Sequence, residues 1–298
     1  MDLQYRCVTV NTVGTVNSQP VILALMTACA NFNHDGFSDI LWHNTSTGLV
    51  SSWTTNSGFL VFGTEGGGWS VIGTGDFDGD GKADALWHNT STGLVASWTS
   101  GGGFMTFGVE GGGWYVSGTG DFDGDHKTDV LWHNTSTGLV ASWTSSAGFT
   151  TYGTEGGGWA VIAAADFDGD GKTDLLWHNL YTGAVSAVYT AGSGLGLGTE
   201  GGGWYVCGVG DFDADGKADV LWHNIYTGVV SAVYTAGGGL GLGTEGGGWE
   251  VIGTGDFDGD GKADVLWRNT ATGLVASWTS SGGFTVFGVE GGGWSVID

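Results

Sequence analysis

The sequence predicts an all-β protein, a propeller of four-stranded blades, on two observations. A unit of 45 residues recurs through most of the 298-residue chain, and that period matches one propeller blade. Within each unit, short runs with strand-like composition alternate with Gly, Ser and Thr clusters, and no helical period is sustained.

The unit from Trp69 to Gly113 shows the expected order. Trp69-Ser-Val-Ile-Gly-Thr-Gly75 ends in small residues, as does Ala163-Ala-Ala165 in a later copy, which suits an innermost strand crowded at the ring axis. An acidic loop follows, then Asp84-Ala-Leu-Trp-His-Asn89 as second strand. Thr90-Ser-Thr-Gly93 turns the chain into Leu94–Trp98, and Phe104-Met-Thr-Phe-Gly108 forms the outer strand. Units four and five depart together. Their third strands end in Val188 and Val233 where the others carry Trp, and their outer strands shrink to Leu195-Gly-Leu197 and Leu240-Gly-Leu242.

The chain ends bear on the number of blades. Val8-Thr-Val-Asn11-Thr and Gly14-Thr-Val-Asn-Ser18 echo the second and third strands of a unit, with Leu23–Ala30 as the first strand of the next. Trp294-Ser-Val-Ile-Asp298 reads as a lone innermost strand. Joining it to the N-terminal pair predicts seven blades, the last closed by both termini and lacking a metal loop, which removes exposed sheet edges. The alternative is six blades, with Trp294–Asp298 completing the unit that begins at Asn31 and residues 1–30 left as a leader. Residues 1–298 are expected to form one domain, with 1–30 a degenerate closing segment.

The most specific motif is the acidic loop. Five copies read Asp-Phe-Asp-(Gly/Ala)-Asp-(Gly/His)-Lys-(Ala/Thr)-Asp, and a sixth, weaker one reads Asn31-Phe-Asn-His-Asp-Gly-Phe-Ser-Asp39. Oxygen side chains at positions 1, 3, 5 and 9 with Gly at 6 suit a hard cation such as Ca²⁺. The candidate side-chain ligands are Asn31, Asn33, Asp35 and Asp39; Asp76, Asp78, Asp80 and Asp84; Asp121, Asp123, Asp125 and Asp129; Asp166, Asp168, Asp170 and Asp174; Asp211, Asp213, Asp215 and Asp219; and Asp256, Asp258, Asp260 and Asp264. At position 7, Phe37, Lys82, Lys127, Lys172, Lys217 and Lys262 would offer a backbone carbonyl. About five strong or moderate Ca²⁺ sites and one weaker site are expected.

The loops also account for the charge. The net charge is −24, and 20 of the 31 acidic residues lie in the five strong loops. All five lysines sit at loop position 7, so no basic stripe exists to neutralise phosphates, and nucleic acid is excluded as a partner. No apolar run approaches the length of a membrane-spanning helix. Cys7, Cys29 and Cys207 fit no metal or disulfide framework. The apolar Val21–Leu25 before Met26-Thr-Ala-Cys29 is read as part of the repeat register rather than as a processing site.

The Phe62-Gly63 pair, the loop Asp76–Asp84 and the strand after it resemble the FG-GAP (VCBS-type) repeat over about residues 24–298. That family includes integrin α-subunit propellers and secreted propeller lectins. The resemblance implies a calcium-stabilised binding propeller outside the cytoplasm or on the cell surface, with the same loop positions as ligands. His126 in place of Gly at position 6, and Asn31 and Asn33 in the first loop, depart from the pattern and imply weaker sites.

Glycans or glycoproteins are the expected partners, held by recurring groups: Glu65 and Trp69 from the connector, with Trp87, His88 and Asn89 and their equivalents Trp132, His133, Asn134, Trp177, His178 and Asn179. Burial of these residues between blades is the competing expectation. Arg268 replaces the His in the last unit. No unique nucleophile, base or carboxylate pair stands out, so a binding protein is expected rather than an enzyme. Self-association of blades is the alternative function. Asn44, Asn89 and Asn134 begin Asn-Thr-Ser sequons, which also read as turn chemistry.

Overall fold

The computed structural model describes residues 29–54, 58–144 and 148–297. These form six antiparallel sheets, one per blade. In blade 2 the strands are Trp69–Gly75, Asp84–Asn89, Leu94–Trp98 and Phe104–Val109, paired in sequence order from the axis outward. Gly75 pairs with Asp84 at one end of the blade and Trp69 with Asn89 at the other. The acidic loops therefore share one end of the ring, and the Gly-rich connectors and Asn-Thr-Ser turns share the opposite end.

The favoured expectation of seven blades is wrong. Blade 1 takes Trp294–Val296 onto its second strand, Asp39–Asn44, and Cys29–Ala30 pairs with the other half of that same strand. Two short pieces from distant parts of the chain thus make one innermost strand and close the ring at six, the stated alternative. The six-blade expectation placed residue 30 in a leader, whereas Ala30 lies in this strand; the echoing segments Val8–Thr12 and Gly14–Ser18 lie outside the described residues.

Six hydrophobic clusters fill the six interfaces between neighbouring blades. The Phe-Gly pair explains how. In blade 2 the outer strand slips register between Val95 and Ala96, leaving Phe107 as an extra residue. Phe107 packs on Phe77 of its own acidic loop, ring centroids 4.9 Å apart. Gly108 follows with φ 144°, and a side chain there would press on the Trp132 indole of blade 3 at 3.2 Å. The Phe thus anchors the loop within a blade, and the Gly admits the tryptophan of the next.

Neighbouring blades are also joined through backbone. The amide at loop position 8 donates to the carbonyl at position 1 of the preceding loop: Ala83 to Asn31, Thr128 to Asp76, Thr173 to Asp121, Ala218 to Asp166, Ala263 to Asp211 and Ser38 to Asp256, at 2.6 to 2.9 Å. These bonds form a closed circuit around the loop end of the ring.

Candidate metal loops and inter-blade sites

Each strong loop is wound by its own carboxylates. In loop 2, Asp76 Oδ1 accepts from Gly79 N and Asp80 N, and its Oδ2 accepts from Gly81 N at 2.8 Å. Asp78 Oδ1 accepts from Asp80 N and Asp80 Oδ1 from Lys82 N. The fully buried Asp84 receives Phe77 N at 3.1 Å and Ser100 N at 2.5 Å. This winding brings an oxygen from each of positions 1, 3 and 9 within 4.8 Å of one another in loops 2 to 5, and from Asp256, Asp258 and Asp260 in loop 6. Position 5 falls outside the converging trio in loops 2 to 5. In loop 2 its Asp80 accepts Ser100 Oγ at 2.7 Å, and that hydroxyl holds its carboxyl below the usual range.

Burial, reinforced by neighbouring carboxylates, pushes Asp84, Asp219 and Asp264 up to about 6 and also raises Asp174. A dense all-oxygen set whose charges oppose one another fits a divalent hard cation, which would relieve the repulsion. The first loop does not fit as well. It has only two carboxylates, and Asn33 Nδ2 donates to Asp35 Oδ2 at 3.0 Å where the other loops have a bare acid. Asp35 N donates to both Asn31 Oδ1 and Asn33 Oδ1, so the amides satisfy this loop internally.

Most residues proposed for sugar contact have structural roles. Trp87, Trp132 and Trp177 are 1%, 2% and 7% exposed, too deep for a ligand to reach. Asn89 Oδ1 accepts from Ser91 N, Thr92 N and Thr92 Oγ1, and its Nδ2 donates to Gly67 O. Asn134 does the same, while Asn44 and Asn179 Oδ1 likewise cap their turns and all are buried. The Asn-Thr-Ser motifs are therefore turn chemistry, with side chains unavailable to a modifying enzyme in the folded state.

Glu65 bridges two blades. Its Oε1 accepts Val71 N of blade 2, while its Oε2 lies 3.1 Å from His43 Nε2 of blade 1. The same arrangement links His88 with Glu110, His133 with Glu155, His178 with Glu200 and His223 with Glu245. In blades 3 and 5 a tyrosine completes a chain, Tyr115 Oη lying 2.6 Å from His133 Nδ1 and Tyr205 Oη 2.5 Å from His223 Nδ1. Burial lowers His133 and His223 and raises Glu155 and Glu245, which favours the neutral form of each partner. In blade 6, Arg268 takes the place of histidine and pairs with both Glu250 and Glu290.

The aromatic rings that solvent does reach are others. Trp98 is 39% exposed, Phe104 50%, Trp143 50% and Phe149 46%. Trp69, half-buried, meets Trp98 edge-on at 5.1 Å, and Trp98 meets Phe104 at 5.2 Å. A cleft of about 300 Å³ opens between blades 1 and 2, lined by Phe59 and Leu60 of blade 1, Trp98 and Ser100 of blade 2, and Asn33 and Lys82 from their loops. The sequence carried a clue to these positions, since the ring at Trp98 varies among units whereas the buried Trp87 position does not. Which of the two stands exposed follows from the blade-to-blade contact through Gly63, Gly108 and their equivalents.

A closed ring of six blades bearing repeated acidic loops defines a β-propeller with candidate metal loops. Its repeats are of FG-GAP type where family models match: the FG-GAP-like repeat over residues 121–177 and the FG-GAP repeat over residues 248–283. No curated protein matches the chain. Among solved structures, virginiamycin B lyase from Staphylococcus aureus is similar in fold, with a TM-score of 0.55 at 9% identity, covering 91% of this chain and 88% of that one. AofleA from Arthrobotrys oligospora gives 0.55 at 12% identity over 92% and 90%. A nidogen–laminin complex gives 0.52 at 13% over 82% and 89%. At such identities these likenesses establish the fold alone.

Proposed function

We propose that the protein is a calcium-stabilised, extracellular carbohydrate-binding propeller that uses clefts between blades. The observation that carries this is the blade 1–blade 2 cleft, where the exposed Trp98 and Phe59 rings meet hydrogen-bonding groups from Asn33, Ser100 and Lys82. An aromatic face beside a few polar groups suits the apolar face and hydroxyls of a sugar ring. By position in the repeat, Phe104 and Trp143 at interface 2/3 and Phe284 and Trp53 at interface 6/1 are equivalent to Phe59 and Trp98. Interfaces 3/4 and 5/6 keep one ring each, and interface 4/5 has Gly194 and Val233 instead. Sites on one arc of a rigid ring would give avidity from weak single contacts.

Glycan-array binding in millimolar calcium, repeated in chelator, tests the reading. Trp98→Ala should weaken multivalent binding about tenfold, equivalent to ~1.4 kcal/mol, in protein that still unfolds cooperatively, with a lower midpoint from its lost packing on Trp69 and Phe104. The reading falls if no glycan binds in calcium. The lyase chemistry named for one similar structure belongs to that protein. A second reading, self-association through sheet edges, is favoured by the uncharged Gly194–Thr199 and Gly239–Thr244 outer strands of blades 4 and 5. A sedimentation coefficient that rises with protein concentration, without sugar, would support it.

A further inference from the structure

The connector end of blades 4 and 5 displays the most exposed large hydrophobic side chains among the described residues. Tyr181 is 83% and Tyr226 78% exposed, flanked by the partly exposed Leu180 and Ile225. They occupy the turn between second and third strands, where other blades have Ser46, Ser91, Ser136 and Ala271. The rings are seated: a Cβ placed on Gly158 would strike the Cδ2–Cε2 edge of Tyr181, and one on Gly203 would strike Tyr226. The backbone beneath is held as well. Leu180 N donates to Gly158 O at 2.7 Å and Ile225 N to Gly203 O at 2.8 Å. Tyr181 N and Tyr226 N donate to Asn179 Oδ1 and Asn224 Oδ1, each at 3.1 Å.

Among the described residues the one arginine, Arg268 of blade 6, is paired with Glu250 and Glu290. The lysines belong to the acidic loops at the opposite end of the ring, and the nearby connector carboxylates Glu155 and Glu200 are engaged by His133 and His178. An acidic ligand would find no cation here and would meet a chain of net charge −24. A neutral ligand with a flat C–H face suits a seated aromatic ring, since stacking buries apolar surface and leaves hydroxyls free for the turn backbone and solvent. The two rings are one repeat apart on adjacent blades, so a chain of repeating units can engage both.

We propose that Tyr181 and Tyr226 are paired stacking platforms for a neutral oligosaccharide. They lie at the opposite end of the ring from the acidic loops, and the site does not depend on the blade 1–blade 2 cleft. The full chain in calcium is run in gels containing soluble β-glucan, xylan, galactomannan or, as an anionic contrast, polygalacturonate. Retardation is expected in at least one neutral gel. Tyr181→Ala and Tyr226→Ala should each reduce that affinity about tenfold, the double variant should abolish it, and Tyr→Phe should retain it. Because the rings are exposed, the double variant should keep the wild-type melting temperature, and its cleft glycan binding on the array should persist. No retardation in any neutral gel, equal retardation of the double variant, or retardation by polygalacturonate alone overturns the proposal. So does a fall in sedimentation coefficient on removing both rings without a change in retardation, which would assign the pair to self-association.

Discussion

His126 and Ala214 hold φ of 64°, a left-handed conformation that an L residue adopts at a cost of about 1 kcal/mol. His126 stands at loop position 6, where the sequence already signalled strain, but Ala214 is at position 4, and His34 there has φ 63° as well. Both positions of the loop therefore require glycine geometry, which a comparison with position 6 alone did not disclose. His126→Gly and Ala214→Gly should each raise stability by about 0.5–1 kcal/mol, less than the full strain because glycine gains freedom when unfolded. Thermal melting in saturating calcium measures this, and an unchanged or lower midpoint would show that the loop absorbs the strain. The ligand positions themselves were legible because spacing within a nine-residue loop is local. The exposed Trp98 was not, because exposure is decided by the neighbouring blade, not by its own strand.

At the scale of elements, the connectors hold the blades together as much as they link them. Glu110 Oε1 accepts Val116 N of blade 3 at 3.0 Å while its Oε2 lies 3.1 Å from His88 Nε2 of blade 2. Glu110→Ala would strand the Val116 amide and remove the carboxylate beside His88, at about 2 kcal/mol. Glu110→Gln, which keeps an oxygen for Val116 N, should recover about half of that. Urea unfolding of the two variants makes the comparison, and equal midpoints for wild type and alanine would rule out a bridging role. His88 of this bridge and Glu65, the equivalent of Glu110 one blade earlier, were singled out in the sequence, yet for ligand contact. Recurrence alone does not distinguish a repeated binding group from a repeated joint, and what separates them is a partner 22 residues away in sequence.

For the molecule as a whole, the carboxylates set how stability responds to pH and metal. Asp84, Asp219 and Asp264 rise to about 6 in the fold from 3.8, chiefly through burial. The folded state thus favours the protonated form, and the resulting stabilisation is complete below about pH 3.8 and lost as pH rises through 6. In chelator, the melting temperature should therefore be higher at pH 5 than at pH 8. Calcium reverses this, since it needs the ionised form: it should raise the melting temperature at pH 8 and bind more weakly below pH 6. A metal-free melting temperature flat across this range would contradict the buried-carboxylate account. Calorimetric titration at pH 8 should count five ions, since Asn33 already contributes an amide donor to Asp35 in the first loop; six equivalent ions would refute that. The overall architecture was legible from its period, but the blade count was not. Weak echoes near the start of the chain counted for seven, whereas pairing on both halves of Asp39–Asn44 decided for six.

That shared strand has a consequence for synthesis. A ribosome releases Thr45 long before Gly293, the carbonyl that both its amide and its hydroxyl seek, 248 residues downstream. Until then Trp42 and Ile40 of the first sheet, which end in a cluster with Val296 and Phe257, lack their final neighbours. The emerging polypeptide can assemble its middle blades as they appear, but the opening sheet stays unfinished until Trp294–Val296 is made. Such distant pairing is slow to find. A copy truncated before Trp294 should accumulate as an open arc prone to clumping, so translation that stalls late would be more damaging here than in a protein folded from local contacts.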